Sequence, residues 1–222
     1  GKSGTVSQNT AATYFAIFKA GLKQAFVDGY LTFDLAAKVK GIPEQESLRE
    51  YLTIEELNAL AQTPCDNPII KRAALFSALT GIRHVDIKKM KWKEIVKEGD
   101  HYRVNFTQQK TKGVEYKPIS AQAYLLCGDR RADDQFVFEG LPAPSWISKP
   151  LERWIKAAGI TKHITFHTSR HTFATLLISA GSDLYTVSEL LGHTSIKTTQ
   201  IYADVLSETK LDAVNRVTSI FG

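Results

Sequence analysis

Apolar residues recur at three- and four-residue steps along most of this chain, and at two-residue steps in one short stretch. The helical steps predict an amphipathic helix over 10–29. Ala12, Phe15, Ala16, Leu22 and Phe26 share its face with Lys19 and Lys23, and Asn9 or Thr10 is the expected cap. A lone helix has no domain in which to bury such a face, so its partners are expected upstream. Residues 30–50 hold Gly41, Pro43 and the charged run EQESLRE and read as a linker. From Tyr51 the pattern tightens into a compact domain, 51–222. Thr53-Ile54-Glu55-Glu56 has the form of a capping box opening a helix through Leu57 and Leu60 to Pro64. A richly apolar helix over 68–80 stops at Gly81. Trp92–Lys97, His101–Thr107 and Val114–Ile119 then alternate or are β-branched, parted by Glu98-Gly99-Asp100 and by 109–113. They predict three antiparallel strands. Helices over 120–127 and 145–158 follow, with a short buried strand or loop around Phe136–Phe138. The fold class is mixed α/β, predominantly α-helical, with one small three-stranded antiparallel sheet.

Composition changes this picture little. A hydrophobic share of 43% in 222 residues suits a packed core and excludes a disordered chain. Lys and Arg outnumber Asp and Glu by 28 to 23, a net +5 that allows a nucleic-acid partner without demanding one. Cys65 and Cys127 lack metal-ligand spacing and read as buried structural residues in a reducing compartment. No apolar run approaches membrane-spanning length and the first residues lack a signal-peptide core, so the expected location is cytoplasmic.

Chemistry concentrates between His167 and Tyr202. His167 and Arg170 stand at i and i+3 on one helix, whose apolar stripe is Phe173, Leu176, Leu177 and Ala180. Arg170 falls at the stripe's edge, where its stem can pack while its fork meets a ligand. Gly181 ends that helix and Ser182 or Asp183 caps the next, through Val187, Leu190 and Leu191 to Gly192. His193 is thereby held at a helix junction, with Thr194 or Ser195 capping a last short helix that carries Tyr202. A guanidinium grips a phosphate by two bonds, and imidazoles donate to phosphoryl oxygens or move protons. A phenol, with a pKa of about 10, becomes a nucleophile only beside a base and cations. Together these groups suggest attack of a phenol on a phosphodiester.

The string HTSRHTFAT…LLGHTSIKTTQIYA resembles the C-terminal signature of tyrosine recombinases, the phage integrase family. His167 and Arg170 match its H-x-x-R pair, His193 its LGH histidine and Tyr202 its nucleophile. TGIRHVDIKKMKW matches the first arginine motif through Arg83, which alone would read as half of a surface ion pair. Asp86 then either orients the cationic cluster or merely caps a helix. The family places a catalytic lysine in the second hairpin; Lys110 matches, and Lys112 is the runner-up. NTAATYFAIFKAGLKQAFVDGYL resembles the last helix of a core-binding domain, which makes residues 1–29 the end of a truncated domain. The resemblance implies cleavage and rejoining of double-stranded DNA through a 3′-phosphotyrosyl bond, without metal or cofactor. It also implies a homo-tetramer on DNA and a monomer without it. The apolar residues Leu211, Val214, Val217 and Phe221 mark a terminal helix that closes its own core or docks on a neighbour.

Blander readings compete. His167 and His171 have the i, i+4 spacing of a zinc helix, yet Thr168 stands where a metalloprotease carries its general base. A third ligand would have to come from His163 or His193. His171 therefore reads as a partly buried structural residue beside Arg170, and His84, His101 and His163 as surface or packing residues. The run from Lys88 to Lys93 is a solvated face that could touch phosphates. A type IB topoisomerase would use the same chemistry to relax DNA without exchanging strands. A non-catalytic DNA-binding module would keep the fold and lose the chemistry.

Overall fold

The computed structural model describes residues 5–45, 50–107, 114–193 and 195–205. The chain divides into two compact units, Gly1–Leu48 and Arg49–Gly222. In the first, α1 (Gln8–Val27) starts earlier than its pattern suggests, because the Ser7 hydroxyl accepts from the Thr10 amide. Ala12 is its buried residue, while Tyr14, Ile17 and Phe18 stay exposed. The segment read as a linker carries a short helix, α2 (Leu35–Lys38), capped by Asp34. It also returns along α1: Lys19 donates to the Val39 carbonyl, Gln8 to that of Pro43, and Asn9 pairs both ways with Gln45.

The second unit opens with α3 (Ile54–Gln62), whose Thr53 and Glu56 close the reciprocal capping box. Next, α4 (Pro68–Thr80) is buried nearly all round, through Ile70, Ala73, Ala74, Leu75, Phe76, Ser77, Ala78 and Thr80. Its small side chains let α8 (Phe166–Ser179) pack closely across it. A short α5 (His84–Lys89) leads to strands β1 (Ile95–Glu98), β2 (His101–Thr107) and β3 (Val114–Ile119), hydrogen-bonded in that order and antiparallel. The first strand begins three residues later than its alternation suggests. The Glu94 carboxylate accepts from the Lys91 amide and winds Trp92–Glu94 into a 3-10 turn that buries the indole. On the sheet, Ile95, Val104 and Lys117 form one buried row, so a lysine sits where the pattern asks for an apolar residue.

Helices α6 (Ala121–Leu125) and α7 (Pro144–Ala157) complete the main core, which gathers Phe76, Trp92, Phe138, Ile147, Leu151 and Trp154. Trp146, near the start of α7, is exposed. Arg72 tethers the turn after α6 by donating to the Leu126 and Cys127 carbonyls, at 2.9 and 2.6 Å. Cys127 is buried, and burial pushes its thiol up to about 12; Cys65 is half-buried. Then come α9 (Leu184–Leu191), capped by Asp183, and α10 (Lys197–Val205). Ala174, Val187, Leu191 and Tyr202 make a small cluster separate from the main core. No helix of the described residues is long and apolar enough to cross a membrane. The expected terminal helix around Leu211–Phe221 lies outside the described residues.

Gly81 fixes the junction of these elements. It ends α4 at φ +67°, and a Cβ there would stand 2.5 Å from Phe173 Cδ1 and 3.0 Å from Leu191 Cδ2. Positive φ and the close approach both demand glycine. Gly81→Ala should therefore lose about 2 kcal/mol or more of stability, from backbone strain and overpacking together. Urea denaturation checks this; an unchanged midpoint would show that α8 and α9 move aside freely.

Candidate active site

The site is assembled at the junction that Gly81 creates. Arg83 follows the αL turn as the N-cap residue of α5, and His167 and Arg170 come from the first turns of α8. All three line one cavity of about 890 Å³. His167 is exposed within the first turn, while Arg170 is only 3% exposed.

Arg170 departs from expectation. Its fork does not stand free at the edge of a stripe; it is turned into the protein. One nitrogen donates to the Gly81 carbonyl at 2.5 Å and the other to the Leu191 carbonyl. Those carbonyls lie at the C-terminal ends of α4 and α9, where peptide groups lack helical partners and the helix dipoles are negative. A buried cation is thus supplied with acceptors from two helices while its edge still borders the cavity. The helix carrying it is correspondingly unusual. Its buried side chains are Thr168, Ser169, Thr172 and Thr175 as well as Phe166, Arg170, His171 and Ala174, whereas Phe173, Leu176 and Leu177 are half-buried. Thr172 fits this setting because its hydroxyl accepts from the Leu52 amide at 3.0 Å.

His193 and Tyr202 are not among the residues lining that cavity. Gly192, at φ +59°, turns the chain after α9, and His193 Nδ1 meets the buried hydroxyl of Thr199 at 2.8 Å. Tyr202 is 4% exposed and packs with Ala174, Val187 and Leu191. Its hydroxyl lies 2.7 Å from His171 Nδ1. His171, read as merely structural, is the residue the sequence pattern undervalued. Its ring also meets the His167 ring edge-on, centroids 4.5 Å apart. The i, i+4 spacing of the two histidines was the available signal, but it pointed to zinc. Among the described residues no group of three His, Cys, Asp or Glu side chains is placed to hold a metal ion.

His84 also borders the cavity, beside Arg83. Its Nε2 lies 3.1 Å from the Pro142 carbonyl and its ring stands edge-on to Phe166. A carbonyl only accepts, so Nε2 carries the proton and Nδ1 presents a lone pair; that buried atom has no hydrogen-bond partner among the described residues. Burial first, and the Lys88 charge after it, lower the pKa of this imidazole against the opposing pull of Pro142. Asp86 is buried on α5. Lys91 and Lys93, from the basic run, are paired with Asp134 at 3.8 and 3.0 Å. Lys110 and Lys112 lie outside the described residues.

Residues 50–209 match the model of the phage integrase family. The tyrosine recombinase XerD of Listeria innocua serovar 6a is 29% identical over 90% of this chain and 72% of its own length. Among solved structures, a lambda integrase (residues 75–356) dimer bound to a COC′ core site superposes with a TM-score of 0.68. It is 22% identical and covers 88% of this chain and 75% of its own. A lambda integrase tetramer bound to a Holliday junction gives a TM-score of 0.64 at 23% identity, covering 84% of this chain and 57% of its own.

Arg170→Lys keeps the charge but replaces a two-pronged donor by a single point, so one helix-end carbonyl loses its partner. The expected loss is about 1–3 kcal/mol. It should appear as a lower urea midpoint at unchanged m-value, and an unaltered midpoint would mean that the fork does not hold α4 to α9.

Proposed function

The chain belongs to the phage integrase family, and from that premise we propose that it is a site-specific DNA recombinase that cleaves and rejoins strands through Tyr202. The observation that carries this reading is the convergence of Arg83, His167 and Arg170 on one cavity, with a phenol held by the next histidine of the same helix. Two guanidinium groups and an imidazole suit the non-bridging oxygens of a phosphodiester, where charge builds in the transition state.

In this mechanism the Tyr202 oxygen attacks the scissile phosphorus and the bond to the 5′-oxygen breaks. A 3′-phosphotyrosyl link and a free 5′-hydroxyl result. Arg83, Arg170 and His193 hold the phosphoryl oxygens. His167 takes the phenol proton, and Lys110 gives a proton to the departing 5′-oxygen, which would otherwise leave as a poor alkoxide. The covalent link conserves the phosphodiester bond, so attack by a 5′-hydroxyl of a second duplex completes the exchange with no energy input. Four strands require four active sites. Assembly as a homo-tetramer on DNA follows, with a monomer in its absence, and the lambda integrase tetramer on a Holliday junction supports that arrangement. Because Tyr202 is buried and its hydroxyl is bonded to His171, that bond must be exchanged before the phenol can attack.

The test is covalent capture on nicked duplex fragments of host DNA, in EDTA, followed by denaturation. The unaltered chain should yield DNA-linked protein that survives chelation. Tyr202→Phe should bind DNA equally and form no adduct, a loss of at least about 10³-fold for removal of a nucleophile. An adduct persisting in that variant would defeat the assignment. DNA binding with no adduct from either protein would favour a non-catalytic module.

A further inference from the structure

We propose that His171 is a positioning residue that holds Tyr202 back: its Nδ1 grips the phenol in the protein without DNA, and cleavage begins when that bond is exchanged. The inference rests on Tyr202 being the nucleophile.

Three observations carry it. First, the bond joins two buried groups, His171 at 7% and Tyr202 at 4% exposure, and spans 2.7 Å. A buried phenol needs a partner, so this hydrogen bond selects one position of the ring over others that packing alone would tolerate. Second, His171 faces both halves of the site. Its Nδ1 meets the phenol, while its ring edge meets His167, which lines the cavity that Arg83 and Arg170 share. A phosphate that engages His167 therefore acts directly on the ring that holds the nucleophile. Third, Tyr202 packs in the small cluster of Ala174, Val187 and Leu191, apart from the main core. Tyr202, on α10, packs on that cluster, while Phe76, Trp92 and Phe138 belong to the main core. The hydrogen bond to His171 on α8 therefore ties the phenol to the helix that also carries His167 and Arg170.

This differs from a role for His171 as the reaction's base. A base would be needed during attack, and its removal would slow cleavage. A restraint is needed before attack, and its removal would free the phenol without slowing the chemistry.

Asparagine places an acceptor oxygen about where Nδ1 lies, whereas leucine fills the space and accepts nothing. In DNA-free protein, O-acetylation of Tyr202 by N-acetylimidazole, followed by peptide mass spectrometry, reads the exposure of its hydroxyl. His171→Leu should speed that modification about tenfold, the equilibrium weight of one buried hydrogen bond, and His171→Asn should stay near the native rate. His171→Leu should also form adduct on a nicked duplex at least as fast as native protein in a single turnover. Equal modification rates in native protein and in His171→Leu would overturn the proposal, and so would loss of adduct in a folded, DNA-binding His171→Leu. Adduct formation by Tyr202→Phe would instead sink the nucleophile assignment, an outcome read separately from the modification rates. If the leucine variant fails to fold, the ¹³Cζ resonance of Tyr202 in unaltered protein, assigned by its absence from Tyr202→Phe, decides the matter. It should shift when a cleavable duplex binds, and a resonance unmoved in a complex that goes on to cleave would overturn the restraint.

Discussion

The catalytic unit depends on one buried cation. Arg170 reaches two helix ends at once, the Gly81 carbonyl closing α4 and the Leu191 carbonyl closing α9. Each is an acceptor that its own helix cannot satisfy, and each lies at the negative end of a helix dipole. Removing a guanidinium from water is costly, and only acceptors of fixed geometry offset that cost. Glycines at positive φ bring both carbonyl-bearing turns close enough, Gly81 at +67° and Gly192 at +59°. The residues that follow those glycines are Ile82-Arg83 and His193, so the strut that joins the helices also sets where the Arg83 and His193 side chains leave the backbone. Structure and site share a single constraint here.

Arg72 uses the same device elsewhere, donating to the carbonyls of Leu126 and Cys127 after α6. Its position is half-buried on the flank of the main core, beyond the cavity's lining residues. The comparison separates two uses of arginine as a helix-end clamp. Arg72 ties one turn to one helix, whereas Arg170 ties two helices together and leaves an edge on a cavity with Arg83 and His167.

Local patterns were legible wherever local physics decides the outcome. The capping box at Thr53–Glu56, the stop at Gly81, the hairpin Glu98–His101 and the cap at Asp183 follow from neighbouring residues, and the structure has each of them. The misreadings arise where a residue finds a partner that the apolar pattern does not show. The start of β1 shifted because Trp92 is drawn into the core while Glu94 folds back on Lys91. The buried residues of α8 include the hydroxyl side chains Thr168, Ser169, Thr172 and Thr175, and Thr172 answers the Leu52 amide 120 residues away. Helical periodicity weighs apolar residues, so a helix buried through its hydroxyls misleads it. Arg83, His167 and Arg170 were legible as a set through family spacing. That His171 faces Tyr202 was not, because 31 residues separate them and neither side chain signals the other.

The division of the site between two packing clusters has a consequence for how such chemistry is controlled. Phosphoryl transfer depends on positioning and on charge arranged in advance, which favours cations fixed to a rigid body. In the proposed mechanism Arg83, at the start of α5, and Arg170, on α8, fit that need. A nucleophile that makes a covalent bond to DNA has the opposite requirement, since one always in place would cut any duplex that touched the cations. Tyr202, the nucleophile of the proposed mechanism, packs in the smaller cluster and bonds to His171. The two clusters are joined through α8, which contributes Phe166 to the main core and Ala174 to the smaller one. α8 therefore carries both the cavity-lining His167 and Arg170 and the His171 that bonds Tyr202.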